Sequence, residues 1–119
     1  MKFVCLQGAQ EDPEYLKQQY KAAAQWGEVR LAEKYLFYRY FIKIRYVCYE
    51  EITRAYLREE SGESGEFLLK EFYLMLETSD NTLHKLRMER EGNVKAVLSY
   101  LKENHQSVRI GFDRPGQSK

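Results

Sequence analysis

Two histidines, His84 and His105, and two cysteines, Cys5 and Cys48, are all that this chain offers for imidazole or thiol chemistry. Metal binding and acid–base catalysis need such groups at short, repeated spacing, and neither histidine belongs to a ligand-spaced cluster. Asp80 and His84 are one helical turn apart if the segment is helical. A capping carboxylate beside an exposed imidazole accounts for that pair. The chain has no CxxC pair, no nucleophile elbow and no Glu-x-x-His repeat of the di-iron type. Cys5, in an apolar segment, reads as a small buried hydrophobe. Gly111 to Ser118 has the spacing of a phosphate loop, but Gln117 stands where the lysine is needed and only Lys119 follows.

Glu33 and Glu51 are harder to place. On a helical wheel both project into an otherwise apolar arc, where an unpaired carboxylate is costly. Each is expected at a rim or beside a basic partner, with an enzymatic use as a minor alternative. No catalytic residue, metal or cofactor is expected.

Binding chemistry is better represented. From Glu28 to Glu60 the chain is free of Gly and Pro and rich in tyrosine. Read as a helix, Tyr35, Ile42, Tyr49 and Tyr56 recur every seven residues, with Tyr38 and Tyr46 in the same strip and Arg39 and Arg45 at its borders. Tyrosine and arginine are enriched at interface hot spots, and tyrosine suits a boundary where rings pack while hydroxyls reach a polar partner. The expected partner-binding set is therefore Tyr35, Tyr38, Arg39, Ile42, Arg45, Tyr46, Tyr49 and Tyr56. The expected partner is another protein or a second copy of the chain, in a small regulatory or adaptor role. Nucleic acid is the alternative, because Tyr38-Arg39-Tyr40 and Lys43-Ile44-Arg45-Tyr46 interleave cations with rings that stack on bases.

The elements that must carry this strip turn on one choice. With period two, Tyr40, Ile42, Ile44, Tyr46 and Cys48 share a side, which is a fair strand pattern. With period 3.6, Phe37, Tyr40, Phe41, Ile44, Val47, Cys48 and Ala55 fall on one arc opposite Arg39, Lys43, Glu50 and Arg54. The helix-forming flanks LAEKYL and EEITRAYLRE, with no turn residue between, favour one long helix.

Around it, Asp12-Pro13-Glu14 starts a helix to about Trp26 with Leu16, Tyr20 and Ala23 inward. Gly27 ends or bends that helix. Ser61 to Gly65 reads as a flexible loop, and Glu66 to Thr78 as a buried helix. A helix capped by Ser79 or Asp80 carries Leu83, Leu86 and Met88, and Asn93 is placed to cap the next, with Val94, Val97, Leu98 and Leu101 on one face. Lys2 to Gln7 and Ser107 to Phe112 read as short strands that could pair.

The fold class is thus mainly α: a four- to five-helix bundle around one long central helix. Residues 1–113 form a single helical domain and residues 114–119 a disordered tail. With 44% hydrophobic residues and 14% aromatic, the chain is globular in composition. A net charge of +1 gives no overall case for nucleic acid or for an anionic membrane. No apolar run approaches the roughly 18 residues of a membrane helix, so no membrane is expected among the partners. Two widely spaced cysteines fit reduced thiols in the cytoplasm.

Overall fold

The computed structural model describes residues 2–8, 10–64 and 67–112. Among them lie nine strands in two sheets, two α-helices and one short 3-10 turn, so the expected helical bundle is overturned. The order is β1 (Lys2–Cys5), α1 (Pro13–Ala22), β2 (Ala24–Trp26), β3 (Val29–Leu31), β4 (Tyr35–Tyr40), β5 (Lys43–Cys48), the 3-10 turn Tyr49–Glu51, β6 (Ile52–Ser64), β7 (Phe67–Thr78), β8 (Leu83–Met88), α2 (Glu91–Asn104) and β9 (Arg109–Phe112). Sheet A runs β1-β5-β4-β3-β2, and sheet B runs β8-β7-β6-β9.

The supposed central helix is four separate pieces: β3, the β4–β5 hairpin, the 3-10 turn and β6. Aromatic and β-branched residues between Leu36 and Val47 fill both faces of a strand pair. Tyr35, Phe37, Ile44 and Tyr46 pack with Phe3 against Leu16 and Tyr20 of α1. Leu36, Tyr38 and Val47 point the other way, into a larger core with Val29, Leu31, Leu74, Leu76, Leu86 and Met88 of the strands and Val94, Val97, Leu98 and Leu101 of α2. That core joins the two sheets. A strand covered on both sides shows no apolar/polar alternation, and here tertiary burial outweighs the helix propensity of the flanks.

Glu66 to Thr78, expected as a buried helix, falls largely in β7, and the Leu83–Met88 segment is β8 instead of a capped helix. Ser61 to Ser64 continue β6 instead of forming a loop, while Gly65 lies outside the described residues. The terminal strands β1 and β9 do not pair with each other. Each runs parallel to an inner strand, β1 to β5 and β9 to β6.

The start of α1 follows local chemistry. Asp12 is its N-cap, the Tyr15 N–H donates to the Asp12 carboxylate at 3.2 Å, and Pro13 opens the helix. The helix ends at Ala22, short of Trp26. Gly27 then turns β2 into β3 at φ +64°, and a Cβ there would meet the Asn93 side chain at 2.6 Å. Asn93 therefore does not cap a helix; it sits inside the first turn of α2 and packs over the β2–β3 turn. The tail 114–119 lies outside the described residues, as does most of the phosphate-loop look-alike.

Candidate functional site

Strands β4 and β5 are joined by a two-residue turn, Phe41-Ile42, closed by the Tyr40–Lys43 pair. Tight hairpin turns of this length demand positive φ, and glycine, asparagine or aspartate normally supply it. Here Phe41 takes φ +60°. A bulky side chain in the left-handed region is a true outlier, and such strain is characteristic of working sites. The same two residues are the most exposed large apolar groups described, Phe41 at 78% and Ile42 at 85%. The tip thus combines strain with unburied hydrocarbon, neither of which helps the fold.

The base of the tip is firm. Tyr40 meets Phe41 edge to face at 4.3 Å between ring centres and lies parallel to Tyr38 at 6.3 Å. The Tyr38 hydroxyl donates to the Arg87 carbonyl at 2.8 Å, so the hairpin is tied to β8 of the other sheet. Burial, with Glu28 nearby, pushes the Tyr38 phenol up to about 12, so it stays a donor at neutral pH. Arg39 Nε donates to the Phe41 carbonyl at 3.2 Å and steadies the turn from the side.

Three exposed cations, Lys2, Arg39 and Lys43, stand around this apolar tip, and a fourth, Arg45, is half-buried further down the hairpin opposite Tyr38. Parallel pairing of β1 with β5 sets Lys2 directly beside Lys43, and Val4 beside Arg45. By strand alternation Lys2, Lys43 and Arg45 share the face of Tyr40, while Arg39 points to the opposite one. Among the described residues none of the four forms an ion pair. Of the carboxylates nearby, Glu28 accepts from the Glu89 N–H at 3.1 Å through one oxygen while its other is buried without a hydrogen-bond partner, and Glu71 holds Arg87 at 3.4 Å and the Tyr73 hydroxyl at 2.7 Å.

The expected binding strip is dispersed. Tyr35 and Tyr46 are buried under α1, with the Tyr35 hydroxyl donating to Glu11 at 3.1 Å and the Tyr46 hydroxyl accepting from the Glu11 N–H at 2.7 Å. Tyr38 and Tyr49 are buried in the inter-sheet core, where Tyr49 donates to the Ala32 carbonyl at 2.7 Å. Tyr56 lies on the outer face of sheet B, beneath the Arg54 guanidinium at 4.4 Å from its ring. No helix face unites these rings. Three of the eight, Arg39, Ile42 and Arg45, come together at the hairpin end. Phe41 and Lys2 belong with them and were missed, while Tyr40 and Lys43 were named only for the nucleic-acid alternative. The one signal for them was the triplet Tyr40-Phe41-Ile42 bracketed by Arg39 and Lys43.

Glu33 is exposed, and Glu51 accepts from the Ser79 hydroxyl at 2.6 Å, so neither occupies an apolar arc. Glu33 does line a cleft of about 310 Å³ with Lys34, Cys48, Tyr49, Glu50 and His105. There His105 stacks on Tyr49 at 3.6 Å, and burial lowers its pKa below the ordinary imidazole value. No group of three His, Cys, Asp or Glu among the described residues could hold a metal ion. His84 stands near Thr78, at 3.4 Å, while Asp80 accepts from the Thr78 hydroxyl at 2.6 Å.

Among families of known sequence, the one described as Domain of unknown function (DUF6709) matches residues 3–118. The chain belongs to that family. No curated protein and no solved structure matches it. For this DUF6709 chain, what the hairpin end can do must be read from its own geometry, exposed hydrocarbon flanked by cations. No helix among the described residues is long and apolar enough to cross a membrane.

Proposed function

We propose that this protein is a non-enzymatic cytoplasmic docking module, and that the β4–β5 end is the element with which it engages a larger partner. The observation that carries the reading is Phe41 at φ +60° and 78% exposed, followed by Ile42 at 85%. Apart from its edge contact with Tyr40, the Phe41 ring gives the fold little burial in return for a strained backbone, which supports a use outside the isolated chain. The mechanism is burial of two apolar side chains on a stiff hairpin, with arginine and lysine heads supplying polar contacts around them.

Equilibrium unfolding tests the reading without knowledge of the partner. Phe41→Gly is expected to raise stability by ~1–2 kcal/mol, the usual cost of a left-handed non-glycine residue. A clear loss of stability in that variant would make the turn a structural device and remove the proposal.

A second reading keeps nucleic acid as partner. Lys2, Tyr40, Lys43 and Arg45 share one strand face, which is the pattern of a stacking and phosphate-tracking surface. It predicts affinity for a single-stranded oligonucleotide that falls steeply with added salt.

A further inference from the structure

We infer that the surface engaged by the β4–β5 tip is an anionic lipid–water interface, with Phe41 and Ile42 entering among the headgroups and Lys2, Arg39, Lys43 and Arg45 lying against lipid phosphate and carboxylate. The inference rests on the docking reading above and names its partner.

Three features favour a lipid surface over other partners. The first is the chemistry of the leading residue. Ile42, 85% exposed, has neither a polar atom nor a ring face, so stacked bases give it nothing while hydrocarbon does. The second is the arrangement of charge. Exposed Lys2 and Lys43 stand on one face of the hairpin, with half-buried Arg45 behind them, and exposed Arg39 stands on the other, so the charge flanks the apolar turn on both sides. A planar anionic interface meets charge on both sides of the turn at once. The like-charged neighbours Lys2 and Lys43 disfavour each other in the isolated sheet, and no carboxylate among the described residues pairs with either; an anionic surface reverses that penalty.

The third is size. A standard protein interface covers roughly 800 Å² on each partner. Two side chains on a turn fall far short of that, and they are flanked by one exposed tyrosine, Tyr40, and by Lys43. Shallow membrane docking needs much less: a modest apolar insertion combined with a basic cluster is sufficient for reversible binding. The tie from Tyr38 to Arg87 fixes the base of the turn, so little ordering remains to be done on contact. Expectations from apolar run length concern helices that cross a bilayer, and an inserted hairpin tip escapes them.

The test is co-sedimentation of the full chain with phosphatidylcholine vesicles and with vesicles in which phosphatidylserine replaces part of the phosphatidylcholine. Binding is expected only to the second, weakening as salt is added. Phe41→Ser and Ile42→Ser should each lower the partition coefficient by about tenfold or more. Lys2→Gln and Lys43→Gln should each lower it by about fivefold. Lys85→Gln, on the outer face of sheet B, should leave it unchanged. Equal partition onto both vesicle types, or wild-type partition in the Ile42→Ser variant, overturns the inference. Parallel measurements in the same buffer separate this from the broader reading. Association with a single-stranded oligonucleotide or self-association by solution mass, present in the wild type and lost in Ile42→Ser without lipid binding, overturns the lipid assignment and leaves the docking element in place. If the Ile42→Ser variant instead loses stability while every association is unaltered, both fall.

Discussion

Cations on the outer face of sheet B are answered within the fold, whereas those around the β4–β5 turn are not. On sheet B, Arg54 meets Glu77 at 3.5 Å, Arg58 and Lys85 meet Glu60 at 3.0 and 2.7 Å, and Arg87 meets Glu71 at 3.4 Å. Hydrogen bonding from Lys85 holds Glu60 below the usual carboxylate range. Under this network Tyr56, Tyr73 and Met75 are buried, with Arg54 and Lys85 lying over the tyrosine rings. The long cationic stems close an otherwise open sheet face. At the hairpin end the same residue types stand beside bare hydrocarbon and beside one another. The contrast teaches that charge is balanced within the fold on sheet B, whereas at the hairpin end no ion pair among the described residues balances it.

Substitutions can break that contrast, and the largest effect is expected on the closed side. Met75→Ala should cost ~2–5 kcal/mol in urea unfolding, the range for emptying a well-packed site. Ile42→Ser should stay within ~0.5 kcal/mol of wild type, as surface changes do. Comparable losses at both positions would mean that the two regions serve the fold alike. Next in size is the Phe41→Gly gain given above, which stabilises the protein while removing a ring offered to a partner.

Charge reversal should act oppositely in the two regions. Lys43→Glu places a carboxylate opposite Lys2 and should stabilise by ~0.2–1 kcal/mol, measured at low salt. Lys85→Glu puts a carboxylate against Glu60 and should lower the unfolding midpoint, with the loss shrinking as salt rises. If both reversals move stability the same way, the hairpin cations have an internal partner after all.

The smallest effect expected is one of pH. His84 lies between the regions, facing Thr78, Asp80 and Arg45, and burial lowers its pKa despite the Asp80 charge. Burial alone lowers His105. For both, the fold prefers the neutral imidazole, so the unfolded chain takes up protons first. Stability should be at its full value above the ordinary imidazole pKa of 6.5 and decline as pH falls from there toward the lowered folded values. His84→Gln and His105→Gln should each flatten that decline in thermal melts recorded against pH.

How much of this could be read from the sequence depended on whether the cause was local. The start of α1 was legible because Asp12, Pro13 and Glu14 act on their own turn. The short strands β1 and β9 were legible as strands, but their partners were not, since parallel pairing to β5 and β6 leaves no local mark. The β4–β5 hairpin was misread because Phe41-Ile42 carries none of the residues that announce a turn, and because sheet A is covered on both faces. Such strands are periodically indistinguishable from a buried helix. Arg54, Glu60 and Glu77 favoured helix by propensity, yet Arg54 pairs with Glu77 and Glu60 with Lys85 between different strands, which is invisible along one segment. At the candidate site, Arg39, Ile42 and Arg45 were selected as members of a helix stripe, and they meet through a turn instead. Lys2 was out of reach altogether, because only the β1–β5 register brings it there.

That register also fixes a timetable. During synthesis Phe3 emerges well before Ile44, its neighbour across β1 and β5, and before Phe37, whose ring it meets at 5.9 Å. The β6 edge of sheet B similarly stays open until α2 and β9 have been made. Contacts between distant segments form slowly, and unpaired strand edges are prone to stray association meanwhile. Newly made copies should accordingly pass through a vulnerable interval, and the ribosome or a chaperone holding β1 apart would shorten the risk more than any gain in final stability.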